Sequence, residues 1–196
     1  MTAAGPTREG TPVRAQILVS GVGGQGVLFI TRLLADAAIG RGLRVLTSET
    51  HGMAQRGGVV VSHLKVGDFR SPLIREGHAD GLVVLRGENL AAHGRFLRPG
   101  GWAVVSARET PGGNFAFPVH AVDSEGIAQR AGNPQGANLV LLGFTLSRLG
   151  EAVGGGKIFC TAQELREPIA RRFEGKGALL AACLEALDLG MSHGKR

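Results

Sequence analysis

The sequence is organised around Gln16-Ile17-Leu18-Val19-Ser20 followed by Gly21-Val22-Gly23-Gly24-Gln25-Gly26-Val27. The first residues form an apolar run of strand length, and the glycine-rich segment that follows is typical of a tight turn. Beyond it, apolar residues recur at helical spacing up to Ile39, so the stretch predicts a strand, a turn and a helix. The N-terminal end of that helix carries partial positive charge and points at whatever lies over the turn.

The spacing Gly21-x-Gly23-x-x-Gly26 matches the dinucleotide-binding fingerprint. That fingerprint expects an acidic residue about 20 residues further on, and Glu49 lies near that distance. The residues after Glu49 do not read as a ribose pocket, however, and glycines in such a turn also let a strand and a helix pack closely. A nucleotide site and a purely structural turn therefore both stay open at this point.

Length and composition indicate one α/β domain. The chain has 196 residues, 43% of them hydrophobic, which is enough for a core built from Val, Leu, Ile and Ala. Its 32 glycines are spread over many turns, which indicates a loop-rich protein without low complexity. We predict a disordered leader over residues 1–14, a single domain over residues 15–190 and a flexible tail over residues 191–196.

Further strands are predicted where short apolar runs end at turns, and further helices where apolar residues recur with a period of about 3.6. The strands that follow the first are expected at 43–48, 59–66, 81–85, 102–106 and 117–122, and the second of the chain is expected to run parallel to the first. The later helices are expected at 88–97, 123–131, 138–149, 161–173 and 176–189. Together these elements predict an open, mostly parallel sheet with flanking helices.

Charge and cysteine content argue against several classes of function. The net charge is +6, but the basic residues are scattered and do not alternate with aromatics, which argues against nucleic-acid binding and favours acidic or phosphate-bearing partners. Cys160 and Cys183 form no C-x-x-C pair, so the chain alone cannot build a zinc site or an iron–sulfur cluster. Free buried thiols are favoured over a disulfide. Since no signal core or membrane-length apolar run is found, we expect a cytoplasmic protein without membrane contact.

A second informative segment, Glu49-Thr50-His51-Gly52-Met53-Ala54-Gln55-Arg56-Gly57-Gly58, follows the second strand. Such a loop lies at the carboxyl end of the sheet, where open α/β folds bind ligands. The Arg56 guanidinium is suited to a phosphate or carboxylate, and the His51 imidazole can move a proton near neutral pH. The alternative is that these groups satisfy one another or a partner's backbone. His63, which alternates with Leu64, is expected to be structural.

These residues and several others resemble the gamma-type domain of the 2-oxoacid:ferredoxin oxidoreductases. The similarity covers residues 15–190 and is carried by the motifs quoted above together with Ser62-His63, Ser71-Pro72, Ala79-Asp80, Pro99-Gly100-Gly101, Ala121-Val122-Asp123, Ala131-Gly132-Asn133-Pro134 and Asn138. Within the family, the 52–58 string together with Ala131–Pro134 is most similar to the smaller subunits of the indolepyruvate enzymes. The resemblance implies a Rossmann-like three-layer domain.

The resemblance also implies a function that this chain shares with a partner. Such enzymes decarboxylate 2-oxoacids oxidatively with thiamine diphosphate and Mg²⁺, pass electrons through 4Fe-4S clusters to ferredoxin, and form an acyl-coenzyme A. The cofactors are expected in a larger subunit, so we expect this chain to bind none of them alone, to contain no catalytic residue and to be inactive alone. Indolepyruvate or another aryl pyruvate is favoured as the substrate, and pyruvate, 2-oxoisovalerate and 2-oxoglutarate remain alternatives, as does a stand-alone nucleotide-binding protein. A homodimer is possible without the partner.

The expected contact surface combines the glycine turn with the second loop. We predict that both face the partner subunit near the channel that admits coenzyme A, with a purely structural adaptor as the rival interpretation. The predicted contact residues are Gly23, Gly24, Gln25, Gly26, His51, Gln55, Arg56, Gly57 and Gly58.

Overall fold

The structure is a computed structural model that describes residues 13–51, 58–150 and 158–195. Residues 1–12 of the predicted leader lie outside these ranges, as does the glycine spacer at 154–156. Val13, at the end of the predicted leader, is partly buried and packs against the core.

Six strands form one sheet in the order β2-β3-β1-β4-β5-β6. Their bounds are β1 Ala15–Val22, β2 Val45–His51, β3 Val59–Val66, β4 Ala79–Val84, β5 Leu97–Ser106 and β6 Val119–Val122. Strands β1, β4, β5 and β6 pair in parallel, and β3 pairs antiparallel with both β1 and β2. The prediction of an open, mostly parallel α/β sheet is confirmed.

The position of β3 is the main departure from the predicted topology. β2 runs in the same direction as β1, as expected, but β3 lies between them because the chain returns from β2 directly as an antiparallel neighbour. The segment Pro99-Gly100-Gly101, although typical of a turn, also lies within a strand, β5. It forms an irregularity within β5, which pairs with β4 at Leu97 and again from Trp102 onward.

Six helices flank the sheet. They are α1 Val27–Gly40, α2 Asn89–His93, α3 Ser124–Arg130, α4 Ala137–Gly150, α5 Ala162–Arg172 and α6 Gly177–Gly194. A 3₁₀ turn, Gly94–Phe96, extends α2, so the helix expected at 88–97 is real but shorter and partly 3₁₀. The last helix continues to Gly194, beyond its expected end at residue 189. Among the described residues, no helix is both long and apolar enough to cross a membrane.

Alternating side chains of the strands build two cores, one on each face of the sheet. The larger core is formed by α1, α3, α4, α5 and α6 over residues such as Ile17, Leu64 and Val104. The smaller core lies on the opposite face, around Leu18 and Leu82, and is covered by α2, the 3₁₀ turn and connecting loops. The molecule thus has three layers of unequal thickness.

Small residues and caps explain how the thicker layer is assembled. Gly143 allows α4 and α6 to approach closely, because a Cβ at this position would collide with the main chain of α6 at Leu187. The capping box at Thr161 is confirmed, with Thr161 Oγ1 accepting from Glu164 N at 3.3 Å. Cys160 and Cys183 are free buried thiols, as predicted.

Candidate functional site

The carboxyl ends of β1, β4 and β5 open onto a crevice at one end of the sheet. From β1 the chain crosses towards β2, whereas from β4 it proceeds to β5 on the other side. This reversal of direction is the position at which open α/β sheets bind ligands, because the flanking loops diverge there. The glycine turn at 23–26 forms one wall of this crevice.

The glycine turn adopts backbone conformations that only glycine accepts easily. Gly24 has a φ of 92° and Gly26, the N-cap of α1, has a φ of 85°. A Cβ at Gly26 would also collide with the side-chain amide of Asn138, which donates from Nδ2 to the carbonyl of Gln25 at 3.2 Å. The first turn of α4 therefore fastens the glycine turn in place, and Gly23 and Gly24 remain exposed at its tip.

Gln25, predicted as a contact residue, holds the turn together from inside. Its Oε1 accepts from the Val22 N–H at 3.0 Å, and its Nε2 donates to the Leu85 carbonyl at 3.3 Å and to Glu125 Oε1 at 3.4 Å. These three hydrogen bonds connect the tips of β1 and β4 to α3. In this arrangement Gln25 fixes the shape of the crevice, and its contact with a ligand stays a prediction.

The structure brings together the two loops that the sequence singled out. The Gly23 N–H donates to the Gly58 carbonyl at 3.1 Å, so the glycine turn lies beside the end of the second loop. The backbone of His51 ends β2. The predicted contact residues Gln55, Arg56 and Gly57 lie outside the described residues, and so does the His51 side chain.

The topology argues against the dinucleotide interpretation of the glycine spacing. In a dinucleotide fold the acidic residue stands at the tip of the strand next to β1. Here β3 occupies that place, and Glu49 lies on β2, paired with Ser62 of β3. Glu49 is therefore one strand too far from the glycine turn to hold a ribose bound over it.

The crevice is a cleft of about 710 Å³ whose lining combines polar side chains with apolar surface. It is lined by Gly24, Gln25, Leu85, Ser106, Ser124, Glu125, Gln129, Pro134, Gln135, Ala137 and Asn138. A second cleft of about 600 Å³ shares Leu85, Ser106, Glu125 and Gln129 with it and adds Arg86 and Arg108. The second cleft also carries the carboxylates of Glu88, Asp123 and Glu125, and Arg86 Nε donates to Glu88 Oε2 at 2.9 Å. Amides, hydroxyls and charged groups of both signs suit a polar ligand.

Most of this lining was missed by residue-level reasoning on the sequence. Ser106 and Ser124, whose hydroxyl oxygens are 2.6 Å apart, follow β5 and β6 and carry no motif of their own. Pro134 and Asn138 did carry a signal, since both belong to the segments that resemble the family. Both segments are far from the glycine turn in the sequence but lie beside it at the crevice.

A buried hydrogen-bond network supports the turn from behind. Asn89 Nδ2 donates to Ser20 Oγ at 3.1 Å and to the Gly21 carbonyl at 3.2 Å. The Ser20 hydroxyl is then free to donate to His93 Nδ1, which lies 2.8 Å away. Burial lowers the pKa of His93, and the charge of Arg95 lowers it further, which favours the neutral ring that this bond requires. Ser20 is 0% exposed, so it positions the strand tip and is not accessible as a nucleophile.

His63 is structural, as the sequence predicts. Its side chain is buried on the thinner face, and its Nδ1 accepts from the Ile74 N–H at 3.2 Å. Burial lowers the pKa of His63, and the nearby charges of Lys65 and His93 act in the same direction. A neutral ring with a free Nδ1 lone pair is therefore what holds the 67–78 connection against the sheet.

The described residues offer a binding surface without catalytic machinery. They contain no group of three His, Cys, Asp or Glu side chains placed to hold a metal ion. Burial raises the pKa of the Cys160 thiol to about 12, and the charge of Glu164 adds to this, so the thiol is not a nucleophile at neutral pH.

Comparison with known proteins places these features in one family. The chain is 36% identical over 152 residues to the indolepyruvate oxidoreductase subunit IorB of Archaeoglobus fulgidus, covering 67% of this chain and 76% of that one. It is 28% identical over 201 residues to the subunit of the same name from Pyrococcus horikoshii, covering 91% of this chain and 95% of that one.

Solved structures of low sequence identity share the fold. A 2-oxoglutarate:ferredoxin oxidoreductase from Magnetococcus marinus, solved with 2-oxoglutarate, coenzyme A and succinyl-CoA bound, matches with a TM-score of 0.76 and 24% identity over 93% of this chain and 31% of that chain. The keto/oxoacid ferredoxin oxidoreductase gamma subunit of Geobacter sulfurreducens matches with a TM-score of 0.71 and 22% identity over 92% of this chain and 98% of that chain. The model of the pyruvate ferredoxin/flavodoxin oxidoreductase family matches residues 16–193, and the chain belongs to that family.

Proposed function

We propose that this chain is the non-cluster subunit of a 2-oxoacid:ferredoxin oxidoreductase that acts on indolepyruvate or another aryl pyruvate. A larger subunit supplies thiamine diphosphate, Mg²⁺ and 4Fe-4S clusters, and ferredoxin receives the electrons from that subunit. This chain contributes a surface that helps to admit coenzyme A to the acyl intermediate. The observation that carries the proposal is the crevice between β1 and β4, walled by family-specific segments and lacking catalytic groups among the described residues.

The chain's own chemistry supports a division of labour between subunits. It contains two cysteines, and both are buried, so it does not fit a four-cysteine cluster. A thiamine site needs a diphosphate and metal motif, and the sequence has none of the Gly-Asp-Gly type. Electron transfer and carbon–carbon bond cleavage therefore belong to the partner.

The tip of the sheet is suited to the phosphates of coenzyme A. Gly26 opens α1, whose N-terminal end favours negative charge, and Gly23 and Gly24 let a ligand come close to the main chain. Arg108 borders the adjoining cleft, where Arg86 is paired with Glu88, and Arg56 belongs to the loop that meets Gly23 through Gly58. Guanidinium groups bind phosphates with paired hydrogen bonds.

The substrate proposal depends on the relatives named for indolepyruvate. Because the pocket for the 2-oxoacid side chain lies mainly in the partner, the described residues do not discriminate among 2-oxoacids. Pyruvate, 2-oxoisovalerate and 2-oxoglutarate remain alternatives. Rates measured with each acid on the assembled complex decide between them, and an aryl pyruvate is expected to give the highest kcat/KM.

The coenzyme A role is tested on the assembled complex with two substitutions. Arg56→Ala removes a guanidinium, and Gln129→Trp narrows the cleft at an exposed lining residue. Each is expected to raise the KM for coenzyme A by about tenfold, with a smaller change in kcat. Arg32→Ala, an exposed substitution on α1, is the control and should leave the KM unchanged. Unchanged KM values and unchanged assembly in both variants would reduce the chain to a structural adaptor.

A further inference from the structure

The amino end of the sheet, opposite the crevice, carries a group of positive charges. Arg14 immediately precedes β1, and Lys65 lies near the end of β3, opposite Gln16. The 67–78 connection adds Phe69 and Arg75. We refer to Arg14, Lys65, Phe69 and Arg75 as the basic surface.

The ring of Phe69 holds two of these cations. The guanidinium carbon of Arg14 lies 4.3 Å from the ring centroid, and Lys65 Nζ lies 5.1 Å from it. Lys65 is only 8% exposed. Burial lowers its pKa, and the charges of Arg75 and then Arg14 lower it further, so all three cations are within electrostatic range of one another.

Each carboxylate near the basic surface is already paired with another arginine. Asp68 binds Arg44 at 2.7 Å, Glu76 lies 3.1 Å from Arg95, and Asp80 binds Arg98 at 2.6 Å. Among the residues that the structure describes, Arg14, Lys65 and Arg75 consequently have no ion pair. Within residues 13–51, 58–150 and 158–195, these three cations therefore have no carboxylate of their own.

Such a grouping is unfavourable in the isolated chain. Like charges repel, and the cation–π contacts with Phe69 offset that repulsion only in part. An anionic partner would remove this penalty. The combination of arginine with an aromatic ring is also typical of the centres of protein interfaces, and Leu73, 51% exposed in the same connection, adds apolar area.

We infer that the basic surface docks a carboxylate-bearing segment of the larger subunit, with its carboxylates against Arg14, Lys65 and Arg75 and an apolar side chain against Phe69 and Leu73. The occupant is a protein because a single ring and one exposed Leu form a compact anchor, whereas a nucleic acid needs a basic track along its backbone. The inference rests on the proposed function, since it names a contact between its two subunits.

The test measures binding of this chain to the immobilised, separately purified larger subunit. Arg75→Glu and Arg14→Glu are expected to weaken binding at least about tenfold at low salt and to flatten its salt dependence. Arg32→Glu on α1 makes the same charge change at an exposed site away from the basic surface and should bind like the wild type. Equal affinity of all four proteins would overturn the inference.

Lys65→Met separates docking from folding. It removes one of three neighbouring like charges while keeping most of the side-chain volume, so the isolated chain should melt at a higher temperature while its binding to the larger subunit weakens. A Lys65→Met variant that melts at a higher temperature and binds the larger subunit normally would contradict the inference. So would Arg14→Glu and Arg75→Glu variants that lose binding to single-stranded DNA but still bind the larger subunit like the wild type. Failure of the wild type to bind the larger subunit at all would instead reject the proposed function.

Discussion

The face of the sheet that carries α1, α3, α4, α5 and α6 is covered by helices at close range, whereas the opposite face is covered by α2 and loops. On the helical face, the buried hydroxyls of Thr31 and Thr145 donate to carbonyls of their own helices. On the thinner face, buried polar groups bridge distant segments, as Asn89 does to β1 and His63 does to the 67–78 connection.

This difference separates stability from function within one small domain. The helical face has little to move, because its contacts are apolar and its helices touch through glycines. The thinner face holds the strand tip and the 67–78 connection through hydrogen bonds that depend on charge state. Substitutions on the helical face should therefore lower stability through overpacking, whereas substitutions on the thinner face should change how stability depends on pH.

The largest effect is expected where α4 and α6 cross. A Cβ at Gly190 would collide with the Val140 carbonyl, which belongs to the main chain and cannot rotate away. Gly190→Ala should lower the free energy of unfolding by about 3 kcal/mol, at the upper end of overpacking costs. Urea denaturation of the isolated chain measures it.

The matched control lies in the same helix. Gly177, the first residue of α6, has open space where a Cβ would lie. Gly177→Ala should leave stability unchanged or raise it by up to about 1 kcal/mol. Similar losses for both variants would show that helix propensity, and not the close crossing, decides stability on this face.

A smaller effect is expected at the glycine turn. Gly26→Ala forces alanine into left-handed backbone and against Asn138, which should cost about 2 kcal/mol and raise the KM for coenzyme A in the complex. Gly40→Ala at the end of α1 is the control, because its Cβ meets open space and its φ is not positive. A Gly26→Ala complex with wild-type stability and KM would mean that the shape of the turn is unimportant.

The thinner face should respond to acid. The pKa values of His63 and His93 are lowered by burial in the folded chain, so below about pH 6.5 the unfolded chain binds protons first. The free energy of unfolding should therefore fall as the pH drops below about 6.5. Above that pH, these two histidines should make no pH-dependent contribution to it. Thermal melts across this range measure the slope.

His63→Asn tests the source of that slope. Asn can still accept from the Ile74 N–H, but it does not titrate. The variant should lose less stability in acid than the wild type, whereas His78→Asn, at an exposed site, should behave like the wild type. An unaltered slope in His63→Asn would assign the acid sensitivity to other groups.

The smallest effect concerns the thiols. Both cysteines are buried, and burial raises the pKa of each, that of Cys160 to about 12. Native protein should react with a thiol-specific chromogenic reagent far more slowly than denatured protein, in which both thiols react. Fast reaction of one thiol in the native chain would mean that the structure around it opens readily.

Local signals in the sequence were sufficient for most elements of the fold. The apolar run 16–20 predicts β1, and the helices expected at 138–149 and 161–173 correspond to α4 and α5. The place of β3 between β1 and β2 was not predictable in this way, because strand order depends on contacts between distant segments. The same holds for the irregularity at Pro99–Gly101, which only the pairing with β4 makes part of a strand.

The candidate site was predictable in outline. The glycine turn and the Gly58 end of the second loop do meet, because β3 pairs antiparallel with β1 and starts beside its tip. The role of Gln25 as an internal clamp and the contribution of Asn138 were not predictable, because they depend on side-chain directions that a motif does not encode. The polar residues of α3 carried no signal at all until they lined the crevice.

The most direct test of the division of labour is 2-oxoacid-dependent viologen reduction, measured with coenzyme A for this chain alone, for the larger subunit alone and for the two combined. We expect no turnover by this chain alone, and saturable coenzyme A dependence only when both are present. Turnover by this chain alone, or the same coenzyme A dependence from the larger subunit alone, would contradict the central claim.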